Sequence, residues 1–151
     1  MLLNNVNSSA PMLTIVPIYA AIFGLMLVYL SFLVIKQRRS AKVSLGDGDN
    51  PTLRKTIAVH SNFSQYVPFA LLLITFVELN HTPAYIVHGL CAALLIGRIA
   101  HAYGLAQAIQ VMKLRQLGMA LTFSVIIVSG LYLLNDAIHQ ELMHYRIVPT
   151  E

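Results

Sequence analysis

Charge is what this sequence has least of. Asp, Glu, Lys and Arg make up 11% of its 151 residues, where an ordinary soluble domain carries about 25%. So little charge cannot coat a globule with water-compatible surface, which excludes a soluble globular domain. Cysteine is scarcer still. Cys91 is the only one, so an intrachain disulfide and a cysteine-built metal site are excluded, and its place in the apolar run 90–96 is that of a small buried hydrophobe. There is no HExxH spacing, no Ser/His/Asp order and no Gly-rich phosphate loop. Metal-dependent hydrolysis and nucleotide binding therefore drop out, and no metal is expected. Long internal repeats and low-complexity segments are also lacking. Acidic residues are outnumbered, six against ten Lys and Arg, for a net charge of +4. The basic residues do not lie along an exposed aromatic-bearing face, and the apolar runs are too long for a nucleic-acid module, so no nucleic-acid partner is expected.

What the chain has in abundance is apolar length: 57% of its residues are hydrophobic and its mean hydropathy is +0.69. At about 20 residues per span, four spans and their short connections nearly exhaust it. The expected architecture is an all-α membrane protein, a four-transmembrane-helix bundle running up-down-up-down as one domain over residues 1–151. Its helices are expected at about 13–35, 52–80, 84–108 and 117–134. Residues 1–12 contain no Lys or Arg, and the apolar run after them is too long for a signal-peptide core, so the first span is read as uncleaved. Two Gly, two Asp and a Pro within residues 44–52 mark a loop and the start of the second helix. Pro68 is expected to kink that helix, Asn80 to Pro83 to close it, and the tail after Asn135 is mixed and amphipathic.

The cations give an orientation. Lys36, Arg38, Arg39, Lys42, Arg54 and Lys55 follow span one, and Lys113 and Arg115 follow span three. Those places share one side of a four-span bundle, and only Arg146 lies on the other. The positive-inside rule therefore expects both termini on the non-cytoplasmic side.

Arg98 is out of place, because a charged side chain in lipid costs at least about 2.5 kcal/mol. The acids Asp47, Asp49, Glu78, Asp136, Glu141 and Glu151 do not match its depth. Either its counter-ion comes from outside the protein, or it snorkels to the interface or is satisfied by carbonyls and amides. His101 lies one turn on. His60, Asn62, Gln65 and Tyr66 form a polar patch on helix two at helical spacings, at a depth similar to that of Arg98. These residues are read either as a polar site opening toward the cytoplasm or, for Asn62, Gln65 and Tyr66, as interhelical hydrogen-bonding contacts. Glu78 and His88 lie toward the other end and are read as solvated at the interface.

The stretch His60-Ser61-Asn62-Phe63-Ser64-Gln65-Tyr66-Val67-Pro68 resembles helix two of the MAPEG family, the membrane-associated proteins of eicosanoid and glutathione metabolism. Gly97-Arg98-Ile99-Ala100-His101-Ala102-Tyr103-Gly104-Leu105 is similar to the family's third-helix motif, and Arg115-Gln116-Leu117-Gly118-Met119 opens span four in the same manner. The resemblance covers roughly residues 13–134, and the small bacterial branch is the nearest likeness.

The resemblance implies a homotrimer in a bacterial inner membrane, binding glutathione as co-substrate between subunits near the cytoplasmic side. A lipophilic small molecule would enter from the membrane lipid. By motif position, His60, Asn62, Gln65, Tyr66, Arg98 and His101 would line the glutathione site. Arg115, or alternatively Lys113, corresponds to the arginine that stabilises the thiolate, and Lys36, Arg38 or Arg39 to a basic residue at the end of helix one. Fixed cations suit a ligand with two carboxylates and a thiol, because a guanidinium favours the thiolate. Ala58 stands where members usually have Arg, Gln65 where they have Glu, and Leu105 where several have Tyr. Each change removes a ligand contact. The resemblance thus implies a glutathione-dependent membrane transferase or peroxidase acting on a lipophilic electrophile. The alternative is a non-catalytic membrane scaffold or accessory subunit with a drifted site. A small transporter fits less well, because the chain lacks repeated broken helices with paired charges.

Overall fold

The structure, a computed structural model, describes residues 12–107 and 111–147. Residue 108, the expected end of helix three, lies outside that set, as do residues 1–11 and 148–151 and the side chain of Arg146. Four helices follow one another: α1 Val16–Ala41, α2 Pro51–Leu79, α3 Ala84–Ala106 and α4 Met112–Ile147. No strand occurs among the described residues. All four are long and apolar enough to cross a membrane, so the chain is an all-α bundle of four transmembrane helices.

Local chemistry sets most of the boundaries. α1 ends where Lys42 adopts a left-handed conformation (φ 53°) and the chain turns back, the Val43 amide donating to the Arg38 carbonyl at 3.0 Å. α2 begins on Asn50, whose side-chain oxygen accepts from the amides of Thr52 and Leu53 at 3.0 Å, with Pro51 in the first turn. In the loop between them, Arg54 pairs with Asp47 and Asp49, and its guanidinium holds the Asp47 carboxyl below the usual carboxylate range. α2 runs unbroken through Pro68, although that residue has no amide to offer the Ser64 carbonyl.

α1 and α4 outrun their apolar segments. α1 continues through Lys36, Arg38 and Arg39, and α4 starts ahead of Lys113 and reaches Ile147. Hydropathy marks where lipid begins and ends, whereas a helix stops only where its hydrogen bonds or its residues fail. From Leu131 to Ile147 no Gly or Pro interrupts α4.

Contacts between helix ends define the topology. Lys55 Nζ, near the start of α2, donates to the Gln107 carbonyl at the end of α3 (3.3 Å), so the two connections rich in Lys and Arg share one end of the bundle. At the other end Asn80 donates to Asp136 of α4 at 2.9 Å. Neighbouring helices therefore run antiparallel. Phe23, Phe63, Ile74, Val87, Leu94 and Val125 fill the interior with the fully buried Cys91, while Leu25, Phe32, Phe69, Ile96, Ile127 and Leu131 point outward, as lipid-facing side chains do.

Candidate functional site

Arg98 lies inside the bundle with 2% of its surface exposed. One terminal nitrogen donates to the Asn62 side-chain oxygen at 2.6 Å, and the other reaches the Gly118 carbonyl at 3.2 Å and the Met119 sulfur at 3.5 Å. Its Nε is buried without a hydrogen-bond partner among the described residues. Every one of these acceptors is neutral. The ion pairs among the described residues are those of Arg54 with Asp47 and Asp49, so dipoles, not a carboxylate, hold this guanidinium in place.

The contact with α4 depends on an absent side chain. A Cβ on Gly118 would stand 2.5 Å from the Gly97 carbonyl oxygen and 2.7 Å from the His101 backbone nitrogen. Only glycine lets the two backbones approach this closely. The approach brings the Gly118 carbonyl within reach of Arg98, and the same oxygen also accepts from the Thr122 hydroxyl at 2.9 Å. One turn toward the basic end, the buried His101 places Nδ1 3.4 Å from the Arg115 carbonyl. The half-buried Arg115 side chain extends to Met112 Sδ at 3.5 Å, while Lys113 is exposed.

The structure thus brings Asn62, Arg98 and His101 to one seam between α2, α3 and α4, with Arg115 beside it. Tyr66, one turn from Asn62, packs its ring edge-on against Phe123 of α4 at 5.4 Å. His60 belongs elsewhere. It is two residues from Asn62, about 200° around the helix, and turns to α1, where its Nε2 meets the Ser31 hydroxyl oxygen at 2.9 Å. That hydroxyl donates to the Leu27 carbonyl, so the histidine N–H donates to it. Gln65 is exposed and donates to Ser61 of its own helix at 3.3 Å. Ala58 is exposed too. Arg38 donates to the Gly46 and Ser44 carbonyls at 2.8 and 3.4 Å, holding the α1–α2 loop.

Glu78 does more than meet solvent at the interface. Its carboxylate accepts from the amides of Thr14, Ile15 and Val16 at 2.7, 2.7 and 2.8 Å. The cap residue of α1, Ile15, has no side chain able to do this, so a carboxylate on the neighbouring helix occupies the positive end of α1. Backbone amides carry no sequence signature, and for that reason the role was not visible from residue types. His88 likewise has a partner, the Tyr19 hydroxyl at 3.3 Å. No cluster of three or more His, Cys, Asp or Glu occurs among the described residues.

On the other face of α3, a groove of about 460 Å³ opens between α1, α2 and α3. Leu30, Leu33, Val59 and Ile99 line it, with Gln37 and Lys55 toward the basic end.

Comparison with known proteins adds two findings. The family model described as the MAPEG family matches residues 16–135. The chain is also 32% identical over 114 residues to the inner membrane protein YecN of Escherichia coli strain K12, a match covering 76% of this chain and 86% of the relative. YecN of Escherichia coli O6:H1 matches with the same identity and coverage.

Proposed function

The chain belongs to the MAPEG family, and on that premise we propose that it is a glutathione-dependent transferase or peroxidase of the bacterial inner membrane. The observation that carries this reading is Arg98: a buried guanidinium held by neutral acceptors, with one nitrogen unpartnered among the described residues. A cation in low dielectric without a carboxylate favours an anionic ligand strongly, and glutathione brings two carboxylates.

In this reading Asn62, Tyr66, Arg98 and His101 hold the tripeptide. Gln65 and the basic end of α1 at Arg38, with His60, reach it from a neighbouring subunit. Ala58 and Gln65 are exposed, which is compatible with a site completed by a second copy; that the assembly is a homotrimer is what the family resemblance implies. Arg115 lies half-buried beside His101 and is preferred over the exposed Lys113 as the cation that favours the thiolate. As a transferase, the thiolate sulfur attacks an electrophilic carbon of a lipophilic substrate arriving from the bilayer, and the carbon–sulfur bond forms as the bond to the leaving group breaks and that group departs with the electron pair. As a peroxidase, the sulfur attacks a peroxide oxygen, the O–O bond breaks to release an alcohol, and a second glutathione displaces water from the resulting sulfenic acid to give the disulfide. Neither route needs a covalent enzyme intermediate. With the connections bearing most of the Lys and Arg in the cytoplasm, the site opens to the cytoplasmic glutathione pool and both termini lie outside it.

A second reading rests on the same arginine. Because Asn62, Gly118 and Met119 already engage both terminal nitrogens, Arg98 also fits a non-catalytic scaffold whose former ligand contacts have turned inward. Calorimetric titration of the detergent-purified protein with glutathione separates the two. Saturable binding that disappears in Arg98→Ala, with Arg115→Ala binding but failing to turn over an electrophile, supports the enzyme. No heat at millimolar glutathione supports the scaffold.

A further inference from the structure

We propose that the groove between α1, α2 and α3 is a ligand site separate from the Arg98 seam, and that it takes an uncharged membrane lipophile with a flat, carbonyl-bearing ring and a single apolar tail, a quinone by chemical class. This does not rest on glutathione chemistry: Arg98 and His101 face α4, whereas Ile99 and Ala102 of the same helix face the groove.

The size fits one such molecule and is too small for a helix. The α1 wall runs from Met26 to Gln37, about 16 Å at 1.5 Å per residue, close to half of a hydrocarbon core about 30 Å thick. A volume of about 460 Å³ spread over that length leaves a channel about 6 Å across, the width of one ring or one hydrocarbon tail. The volume lies within the range of about 300–1,000 Å³ usual for small-molecule sites. A helix of a second copy, about 10 Å in diameter, would need roughly 1,200 Å³ over the same length.

The polar groups of the groove select the head. Tyr29, Gln37 and Tyr103 line it, and none of their side chains has a hydrogen-bond partner among the described residues. A hydroxyl or amide left unsatisfied in hydrocarbon is costly, so a ligand able to accept from these groups is favoured. The Ser31–His60 contact sets the level of α1 against α2, and the Lys55–Gln107 contact that of α2 against α3. Gln37 therefore stands nearest the mouth, Tyr103 below it and Tyr29 deepest. A ring with carbonyls at opposite edges meets the Gln37 amide at one and the Tyr29 hydroxyl at the other. The two phenol rings stack on no other ring among the described residues, which leaves their faces open to a flat partner.

Nothing in the lining calls for a charged head. Lys55 is the charged residue of the lining, and it is already engaged, donating to the Gln107 carbonyl. A carboxylate or phosphate would shed its water beside Leu30, Leu33 and Ile99 with only neutral donors in return, whereas a quinone gives up little hydration on entry.

The test is native mass spectrometry of the detergent-purified protein, titrated with a benzoquinone carrying a decyl tail and, separately, with decanoate. The quinone is expected to saturate at one per chain and to bind at least about tenfold more tightly than decanoate. Tyr29→Phe and Gln37→Leu each remove one donor and should weaken the quinone about two- to tenfold, the range for a neutral hydrogen bond, without changing the oligomeric state. Ala102→Trp, which fills the groove, should abolish quinone binding and leave the oligomeric state as it was. Decanoate binding as tightly as the quinone overturns the proposal, as does quinone binding undiminished in either Tyr29→Phe or Gln37→Leu. A change of oligomeric state in Ala102→Trp overturns it too, because a second copy of the chain would then be what covers the groove. Tyr29→Phe and Gln37→Leu hardly alter the groove's volume, so they decide the matter alone should Ala102→Trp fail to fold.

Discussion

The side-chain oxygen of Asn62 accepts a hydrogen bond from Arg98 at 2.6 Å across 36 residues of chain, and this contact joins α2 to α3 around a cation that lipid would reject. Asn62→Ala strips the guanidinium of its shortest acceptor. The expected loss is about 1.5–3 kcal/mol, the range for a hydrogen bond to a charged group, measured as a lower apparent Tm by circular dichroism in detergent. An unchanged Tm would mean that water or another carbonyl takes over without cost.

Asn62→Asp tests the ligand side of the same contact. It supplies Arg98 with an internal carboxylate that competes with any carboxylate of a bound tripeptide. Glutathione affinity is expected to fall by roughly one to two decades. Undiminished affinity in a folded Asn62→Asp protein would dissociate Arg98 from the ligand.

Gly118→Ala should be among the most damaging single-methyl additions in the chain. The new Cβ meets backbone, the Gly97 carbonyl oxygen at 2.5 Å, so α3 and α4 must separate, and overpacking of this kind costs about 1–3 kcal/mol. Gly130→Ala on the same helix meets nothing within 4 Å and should be neutral or stabilising by up to about 1 kcal/mol. Similar unfolding temperatures for the two variants would contradict the close approach of α3 and α4.

Ala58→Arg combined with Gln65→Glu addresses the departures from the family pattern. The pair restores a cation for a carboxylate and an anion for the ligand's ammonium, seven residues and about two turns apart on α2. Glutathione affinity should rise by roughly one to two decades. If the double variant binds no better than its parent, the site has been remodelled for another ligand or for none.

Much of this was legible beforehand, for definite reasons. Long apolar runs admit one reading in a chain so poor in charge, and the four spans follow from them. Arg98 and Asn62 were identifiable because neither belongs in lipid and both lie at one depth. Their neighbours were harder to place. His60 and Gln65 sit beside Asn62 in sequence, yet which side of a helix faces which partner depends on its rotation about its own axis, and a stretch with polar residues all round, as 60–66 is, does not encode that. The ends of α1 and α4 were underestimated because hydropathy reports lipid contact and not helical hydrogen bonding. The Gly118 approach and the Glu78 cap are interactions with backbone atoms, which every residue possesses alike.

Deleting the carboxylate in Glu78→Ala should cost about 1–2 kcal/mol, as loss of an N-cap does, with faster hydrogen exchange at Thr14, Ile15 and Val16. Unchanged exchange at those amides would show that solvent caps α1 equally well.

The distance in sequence between that cap and its helix also sets an order of events during synthesis. Val16 and Glu78 are 62 residues apart, and at about 5–20 residues per second the ribosome takes roughly 3–12 s to cover that interval. For those seconds the amides of Thr14, Ile15 and Val16 lack the carboxylate they bind in the folded chain. The carboxylate then acts as a latch that closes late, after the first span has already been committed to its side of the bilayer.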